Sequence, residues 1–258
     1  MIKITVVTCT YNCADTLDTT LQSVLCQDYA AVEHLVIDGA SKDATIAKAE
    51  EYKRKSDAMA TGHSVVVVSE PDGGLYFAMN KALAMASGDY LVYLNAGDAL
   101  PDSHTLADVA AVAEGVEPLP GVLYGDTDLV DAEGHFVRHR RLSPPCRLSW
   151  RSFADGMLVC HQAFYALVSI ARHTPYDTDY RFSADVDWCI RVMKAAEEEG
   201  RSLRRVRRVV VNYLAEGMTT ANHKASLRER FRVMRSHYGL LPTLWKHLWF
   251  VLRAVLRH

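Results

Sequence analysis

At 258 residues and 49% apolar side chains, the chain is long enough for one large domain or two small ones around a real core, which excludes a disordered polymer. Charged residues make up 23% and the formal net charge is −2, so no global field favours nucleic acid and no nucleic-acid partner is expected. No apolar run reaches the roughly 18 residues of a spanning helix, and Met1 to Val7 lacks the apolar stretch and cleavage site of a signal peptide, so the expected location is cytoplasmic. The six cysteines, Cys9, Cys13, Cys26, Cys146, Cys160 and Cys189, show no Cys-x-x-Cys spacing and read as buried, inert thiols.

In chain order, Ile2 to Val7 is a β-branched run, Thr8 to Asp15 a polar turn, and Leu17, Leu21, Val24 and Leu25 recur at helical spacing. Glu33 to Asp38 repeats the strand pattern, and Asp43 can cap a helix running to about Lys55. Ser64 to Ser69, with four consecutive valines, suits a strand buried on both faces; Leu75, Met79, Leu83 and Ala86 share one helical face; Asp89 to Leu94 is a fourth strand. Strand alternating with helix predicts right-handed crossovers and a parallel sheet, whose ligands bind beyond the carboxyl ends of the strands. Those ends are Thr8 to Asn12, Asp38-Gly39, Glu70 to Gly74 and Asn95 to Asp98, all polar or acidic.

From about residue 120 the rhythm changes. Gly121 to Tyr124 and Thr127 to Val130 are two short strand candidates, Ala132 to His135 a hairpin turn and Phe136 to His139 its return strand. A strand around Gln162 to Tyr165, a helix from about Asp185 to Glu198 and a strand from Val206 to Tyr213 follow. Ala221 to His258 is expected to be helical apart from a break at Gly239 to Pro242.

Neither Gly-x-x-x-x-Gly-Lys-Ser/Thr nor Gly-x-Gly-x-x-Gly is present, so a nucleotide would need another device to hold its phosphates. Asn95-Ala96-Gly97-Asp98 closes a strand with a carboxylate that could take a hard divalent cation, although an Asp there is more often a turn former.

These blocks, in this order, resemble the inverting family 2 glycosyltransferases. The matching segments are Thr8 to Asn12; Val36-Ile37-Asp38-Gly39-Ala40-Ser41-Lys42-Asp43-Ala44-Thr45, similar to Asp-Gly-Ser-x-Asp-Gly-Thr; Ser69 to Lys81; Leu94 to Asp98; His161 to Tyr165; Ser183 to Asp187; and Gly217 to Thr220. They cover about residues 2 to 222 and look like the subgroup acting in bacterial exopolysaccharide assembly, including colanic acid. The resemblance implies the α/β GT-A fold, with a mainly parallel sheet flanked by helices. It implies a domain over 1–220, whose nucleotide-sugar half is 1–100 and acceptor half 120–220, followed by a helical tail over 221–258. It also implies a nucleotide-diphosphate sugar as donor and a divalent cation, Mg²⁺ or Mn²⁺. Thr8, Tyr11 and Asp38 would hold the base, Asp72 and Asn80 would complete the nucleoside pocket, and Asn95 with Asp98 would stand at the metal motif. There the chain departs from the family: Asn95 and Gly97 occupy acidic positions, leaving Asp98 as the metal carboxylate, with His161 or His223 as possible added ligands. Asp185 falls on the position of the catalytic base, with Asp187 as its neighbour.

The tail is polarised. The last 29 residues carry +6 and the remainder −8. As a helix, Thr243 to His258 would place Lys246, Arg253 and Arg257 opposite Trp245, Leu248, Trp249, Leu252, Val255 and Leu256, the pattern of a helix lying in an anionic membrane surface. Docking onto the domain is the competing arrangement. Arg201, Arg204, Arg205, Arg207 and Arg208 form a second cluster that could face the same lipid, a diphosphate or solvent. The sequence thus predicts a glycosyltransferase acting on a saccharide or lipid-linked saccharide acceptor. A sugar nucleotidyltransferase and a noncatalytic sugar-nucleotide-binding protein remain as alternatives.

Overall fold

The structure, a computed structural model, describes residues 1–215 and 223–255. Its first half runs β1 (Ile4–Thr10), α1 (Ala14–Leu25), β2 (Val32–Asp38), α2 (Thr45–Met59), β3 (Ser64–Ser69), α3 (Leu75–Met85) and β4 (Tyr90–Tyr93). The β-branched runs become strands because their side chains pack on both faces: every residue of β2 is buried, and α1 closes one face through Leu17, Leu21, Val24 and Leu25. After α4 (Thr105–Ala111) come β5 (Val122–Val130), β6 (Phe136–His139), β7 (Phe164–Leu167), α5 (Val168–Ala171), α6 (Ala184–Glu198), β8 (Leu203–Leu214), α7 (His223–Tyr238) and α8 (Leu240–Val255).

The strands form one sheet in the order β3-β2-β1-β4-β7-β5-β6, with β8 also paired to β5. β3, β2, β1 and β4 are mutually parallel, and β7 then joins β4 antiparallel. Four carboxyl ends therefore share one rim, with the second half of the chain continuing the sheet beside β4.

Several expectations are corrected. The valine run of β3 is not buried on both faces, because β3 is the edge strand and only Val65 of it is fully buried. The two short strands around Gly125 are one strand, β5, whose register shifts near Asp126 against β8. α4, only seven residues long, was too short for its periodicity to stand out in the sequence. All six cysteines are free, but Cys26 and Cys146 are exposed rather than buried. The arginine cluster is largely spent on ion pairs: Arg205 binds Asp126 through both carboxylate oxygens at 2.8 and 2.9 Å, Arg208 bridges Asp102 and Asp108, and Arg201 meets Glu199. Arg204 and Arg207 stay exposed.

The helical tail begins as part of the domain. α7 buries Val233 and Met234 and stacks Tyr238 on Trp150 at 5.7 Å. α8 folds back through His247 against Phe231, while Lys246 reaches Asp155 at 2.5 Å, so this cation faces the domain and not an outer surface. Leu241 and Trp245, 79% and 71% exposed, point outward with Leu244, Leu248, Trp249 and Leu252. Among the described residues no helix is long and apolar enough to cross a membrane. The Gly217 to Thr220 block, the side chain of His223, and the side chains of Arg253, Val255, Leu256 and Arg257 lie outside the described residues.

Candidate active site

The rim formed by the carboxyl ends of β3, β2, β1 and β4 places the sequence-predicted residues in two groups. In the first, Tyr11 follows β1 and Asp72 follows β3, and both close on Gly39 after β2: a Cβ there would lie 3.0 Å from Asp72 Oδ2 and 3.4 Å from Tyr11 Cδ2. Tyr11 is 66% exposed and Asp72 is exposed, so an aromatic face and a carboxylate border an open hollow. That combination can stack on a base or ribose and accept its hydrogen bonds.

Asp38 and Thr8, expected beside them, are turned inward. The Asp38 carboxylate is buried and accepts from Thr10 Oγ1 at 3.0 Å, Ser41 Oγ at 2.5 Å, Ser41 N at 2.8 Å and Ser69 Oγ at 2.8 Å. Burial pushes its pKa up, but these donors outweigh it and hold the carboxyl below the usual range. Asp38 therefore ties β1, β2 and β3 together under the hollow and has no free edge to offer a base. Thr8 is fully buried, its hydroxyl donating to the Leu94 carbonyl at 2.9 Å and lying 3.0 Å from His34 Nε2. Its expected contact with the base is withdrawn.

Asn80 is likewise committed inside the protein. Its amide donates to the Tyr176 carbonyl at 2.9 Å and accepts the Tyr176 N–H at 2.7 Å. This bracket seats the Tyr176 ring between Tyr76 (5.4 Å) and Trp188 (4.8 Å), a stacked aromatic column beside the start of α6. Asn80 is thus a strut between α3 and the segment before α6, with its amide committed to Tyr176 and not open to a nucleoside.

The second group lies past β4. Asp98 is only 3% exposed; Oδ2 accepts from Gln162 Nε2 at 2.9 Å and Oδ1 from the Leu214 backbone N–H at 3.0 Å. Burial dominates and lifts its pKa to about 6, against the opposing pull of Leu214 N, Gln162 and His161. Gly97 has φ +97°, and a Cβ on it would sit 2.8 Å from Leu214 Cδ2, so no acidic side chain fits there. With Asn95 a carboxamide and Gly97 bare, Asp98 is the one carboxylate of this motif; it is buried and accepts one hydrogen bond on each oxygen, which gives it a structural role toward Gln162 and Leu214 and leaves one lone pair on each oxygen. Among the described residues the only converging triad of potential ligands is the half-buried Asp131 with the exposed Glu133 and His135 on the β5–β6 turn, remote in sequence from this motif.

What Asp98 does hold is the turn carrying His161. This single 3₁₀ turn, His161–Ala163, is anchored at Gln162, and its imidazole spans the gap to α6: Nε2 lies 3.4 Å from Asn95 Nδ2 and Nδ1 lies 3.4 Å from Asp185 Oδ2. The tautomer that serves both contacts carries its proton on Nδ1. Asp185 opens α6 and its side chain is 18% exposed. Burial would raise its pKa, yet the contact with His161 and the charge of Arg230 prevail and keep the carboxyl below its ordinary range. It is therefore an ionised carboxylate at neutral pH that solvent still reaches in part, the state a general base needs. Asp187, two residues on, is buried and taken by Arg191 Nε at 2.6 Å and His237 Nε2 at 2.8 Å. The pairing of His161 with Asp185 has a trace in the sequence only as the His161 to Tyr165 block, since 24 residues separate the two positions.

Residues 5–167 match the family model described as Glycosyl transferase family 2. An uncharacterized glycosyltransferase of Mycobacterium tuberculosis is 32% identical over 198 residues, covering 75% of this chain and 70% of that protein. A PGL/p-HBAD biosynthesis glycosyltransferase of Mycobacterium bovis is 32% identical over 70% of this chain and 66% of its own length. In three dimensions the chain superposes on S. aureus TarS 1-349 in complex with UDP-GlcNAc with a TM-score of 0.71 at 18% identity, over 91% of this chain and 65% of TarS 1-349. The fold is thus the α/β GT-A arrangement, and the chain spans about two thirds of the length of these proteins. With well over half of its residues inside the family's model and a glycosyltransferase aligned along three quarters of it, this chain belongs to glycosyltransferase family 2.

Proposed function

We propose that the chain transfers a sugar, with inversion, from a nucleotide-diphosphate sugar to a hydroxyl of a saccharide or lipid-linked saccharide. The observation that carries this reading is Asp185, an ionised carboxylate that solvent still reaches in part, on the same rim as the Tyr11–Asp72 hollow. The nucleoside would rest between Tyr11 and Asp72, and the diphosphate would run past Asn95 toward α6. Asp185 takes the proton of the acceptor hydroxyl as its oxygen bonds the anomeric carbon. The bond from that carbon to the diphosphate breaks, and its electron pair leaves with the nucleoside diphosphate. Attack from the face opposite the leaving group inverts the anomeric centre.

Mn²⁺ accompanies GDP-Man in the mannosyltransferase PcManGT from Pyrobaculum calidifontis, another GT-A neighbour (TM-score 0.60, 19% identity). In this chain a divalent cation, Mg²⁺ or Mn²⁺, would arrive as the counter-ion of the donor diphosphate, with Asp98 as the single carboxylate that the motif at Asn95 to Asp98 could add. The exposed apolar face of α8 supports peripheral contact with a membrane surface, where a lipid-linked acceptor would be found. An exopolysaccharide pathway rests on the motif resemblance alone. The test is product analysis with UDP-, GDP- and dTDP-sugars. Release of nucleoside diphosphate with an inverted anomeric proton signal supports the reading, and diphosphate made from a nucleoside triphosphate and a sugar phosphate would replace it with nucleotidyl transfer.

A further inference from the structure

We propose that His161 is the positioning residue of the base: its Nδ1–H holds the Asp185 carboxylate toward the acceptor, while Nε2 is tied to Asn95 at the strand end facing the donor. This deepens the reading of Asp185 and rests on it. Among the described residues no other basic side chain comes within ion-pair distance of the Asp185 carboxylate. The other groups facing it act differently. Tyr76 and Tyr176 belong to the aromatic column, Cys189 is a buried thiol one turn along α6, Arg230 acts through its charge from beyond ion-pair distance, and Glu229 is committed to the backbone of Arg181 to Ser183.

The imidazole is itself held from behind. Asp98 fixes Gln162, Cys160 Sγ lies 3.1 Å from Thr127 Oγ1, and the Ala163 N–H closes the turn on the Cys160 carbonyl at 3.0 Å. A chain of contacts thus runs from Asp98 through the turn to His161 and on to Asp185. It gives the buried Asp98 a purpose apart from metal binding: it sets the position of the imidazole. In the transfer step His161 keeps its proton throughout. The hydroxyl proton goes to Asp185, the new bond forms from the acceptor oxygen to the anomeric carbon, and the leaving diphosphate takes the electron pair. His161 only restricts the carboxylate to the productive rotamer, and a misplacement of about 1 Å in such a group costs roughly 10²-fold in rate.

The experiment uses the full chain with whichever of UDP-glucose, UDP-N-acetylglucosamine, GDP-mannose or dTDP-rhamnose the parent hydrolyses fastest, and compares His161→Ala, His161→Asn and His161→Gln. Alanine should lower kcat by roughly 10–100-fold with the donor KM within about twofold. Asparagine, whose amide nitrogen takes the place of Nδ1, should recover most of the loss, and glutamine, which reaches the place of Nε2, should not. Equal loss for alanine and asparagine in variants that melt like the parent, or a loss carried by KM, would overturn the proposal. Asp185→Asn run alongside keeps the two claims apart. If it is inactive while His161→Ala is fully active, only the role of His161 is overturned; if it turns over like the parent, the assignment of the base itself is.

Discussion

The Glu229 carboxylate on α7 accepts the backbone N–H of Phe182 at 2.6 Å, and those of Arg181 and Ser183 at 2.9 and 3.1 Å, on the approach to α6. Together with His237 on Asp187, this clamps the turn that presents Asp185 from outside the sheet. α7 therefore packs as part of the second half of the domain rather than as a separate tail. Glu229→Ala leaves three backbone donors seeking partners, and charged hydrogen bonds of this kind are worth about 1.5–3 kcal/mol each when lost with their partner. At roughly 2–4 °C per kcal/mol the melting temperature should fall by about 10 °C or more, and kcat should fall more than the donor KM rises. A variant that melts and turns over like the parent would show that α6 holds its first turn unaided.

Asp185 and Asp187 should separate cleanly, one by rate and the other by stability. Asp185→Asn keeps the shape and removes the base, so transfer should drop roughly 10²–10⁴-fold while nucleotide affinity holds. Asp187→Asn breaks a buried contact to Arg191 and His237, whose loss typically costs about 3–5 kcal/mol, so its main effect should be a lower melting temperature. Rate measurements well below the melting transition decide between them. A larger rate loss for Asp187→Asn would move the base by two residues.

How far the sequence carried this is clearest at these positions. Asp185 could be placed at a helix start because an acidic pair before an apolar 3.6-residue period marks one whatever lies around it, while its assignment as base came from the family resemblance alone. The parallel strands were legible for a similar reason, since their burial is written in continuous β-branched runs. Asp38, Thr8, Asn80 and Asp98 were legible as positions but not as roles. Whether a carboxylate at a strand end is open or hydrogen-bonded depends on Ser41, Ser69, Gln162 and Leu214, and Leu214 lies 116 residues from Asp98. The edge position of β3 is equally a property of strand order, which its four valines do not encode.

Asp98 gives a pH test of its buried, structural role. Its folded pKa, raised to about 6, exceeds the ordinary value, so the folded state binds the proton more tightly than the unfolded chain does. Its contribution is then fully present below about pH 4 and is lost as pH rises to about 6, on the order of 3 kcal/mol in all. Asp98→Asn removes that loss. Its melting temperature relative to the parent should climb between pH 4 and pH 6.5 and level off above. A difference that stays flat, or that falls with pH, would show an Asp98 that is ionised and well solvated, as a metal ligand would be.

The outer face of α8 should bring the enzyme to membranes by burying apolar area, with little help from charge. Leu241, Trp245 and Leu248 are exposed and spaced at i, i+4 and i+7, so they share one stripe facing away from the domain. Lys246, one of the cations expected to reinforce them, pairs with Asp155 on the domain side, so it is not placed beside the stripe. Leu241→Gln, Trp245→Gln and Leu248→Gln together should leave the melting temperature and donor hydrolysis near parental, because none of the three packs on the core. The same variant should fail to sediment with phosphatidylglycerol vesicles and should raise the apparent KM for a lipid-linked acceptor. Salt should weaken binding of the parent only modestly, since screening acts on charges and not on buried area. Equal sedimentation of the triple variant and the parent would mean that this face meets something other than lipid. A steep loss of parental binding between low and physiological salt would shift the attachment to Arg204, Arg207 or the basic residues at the end of the chain.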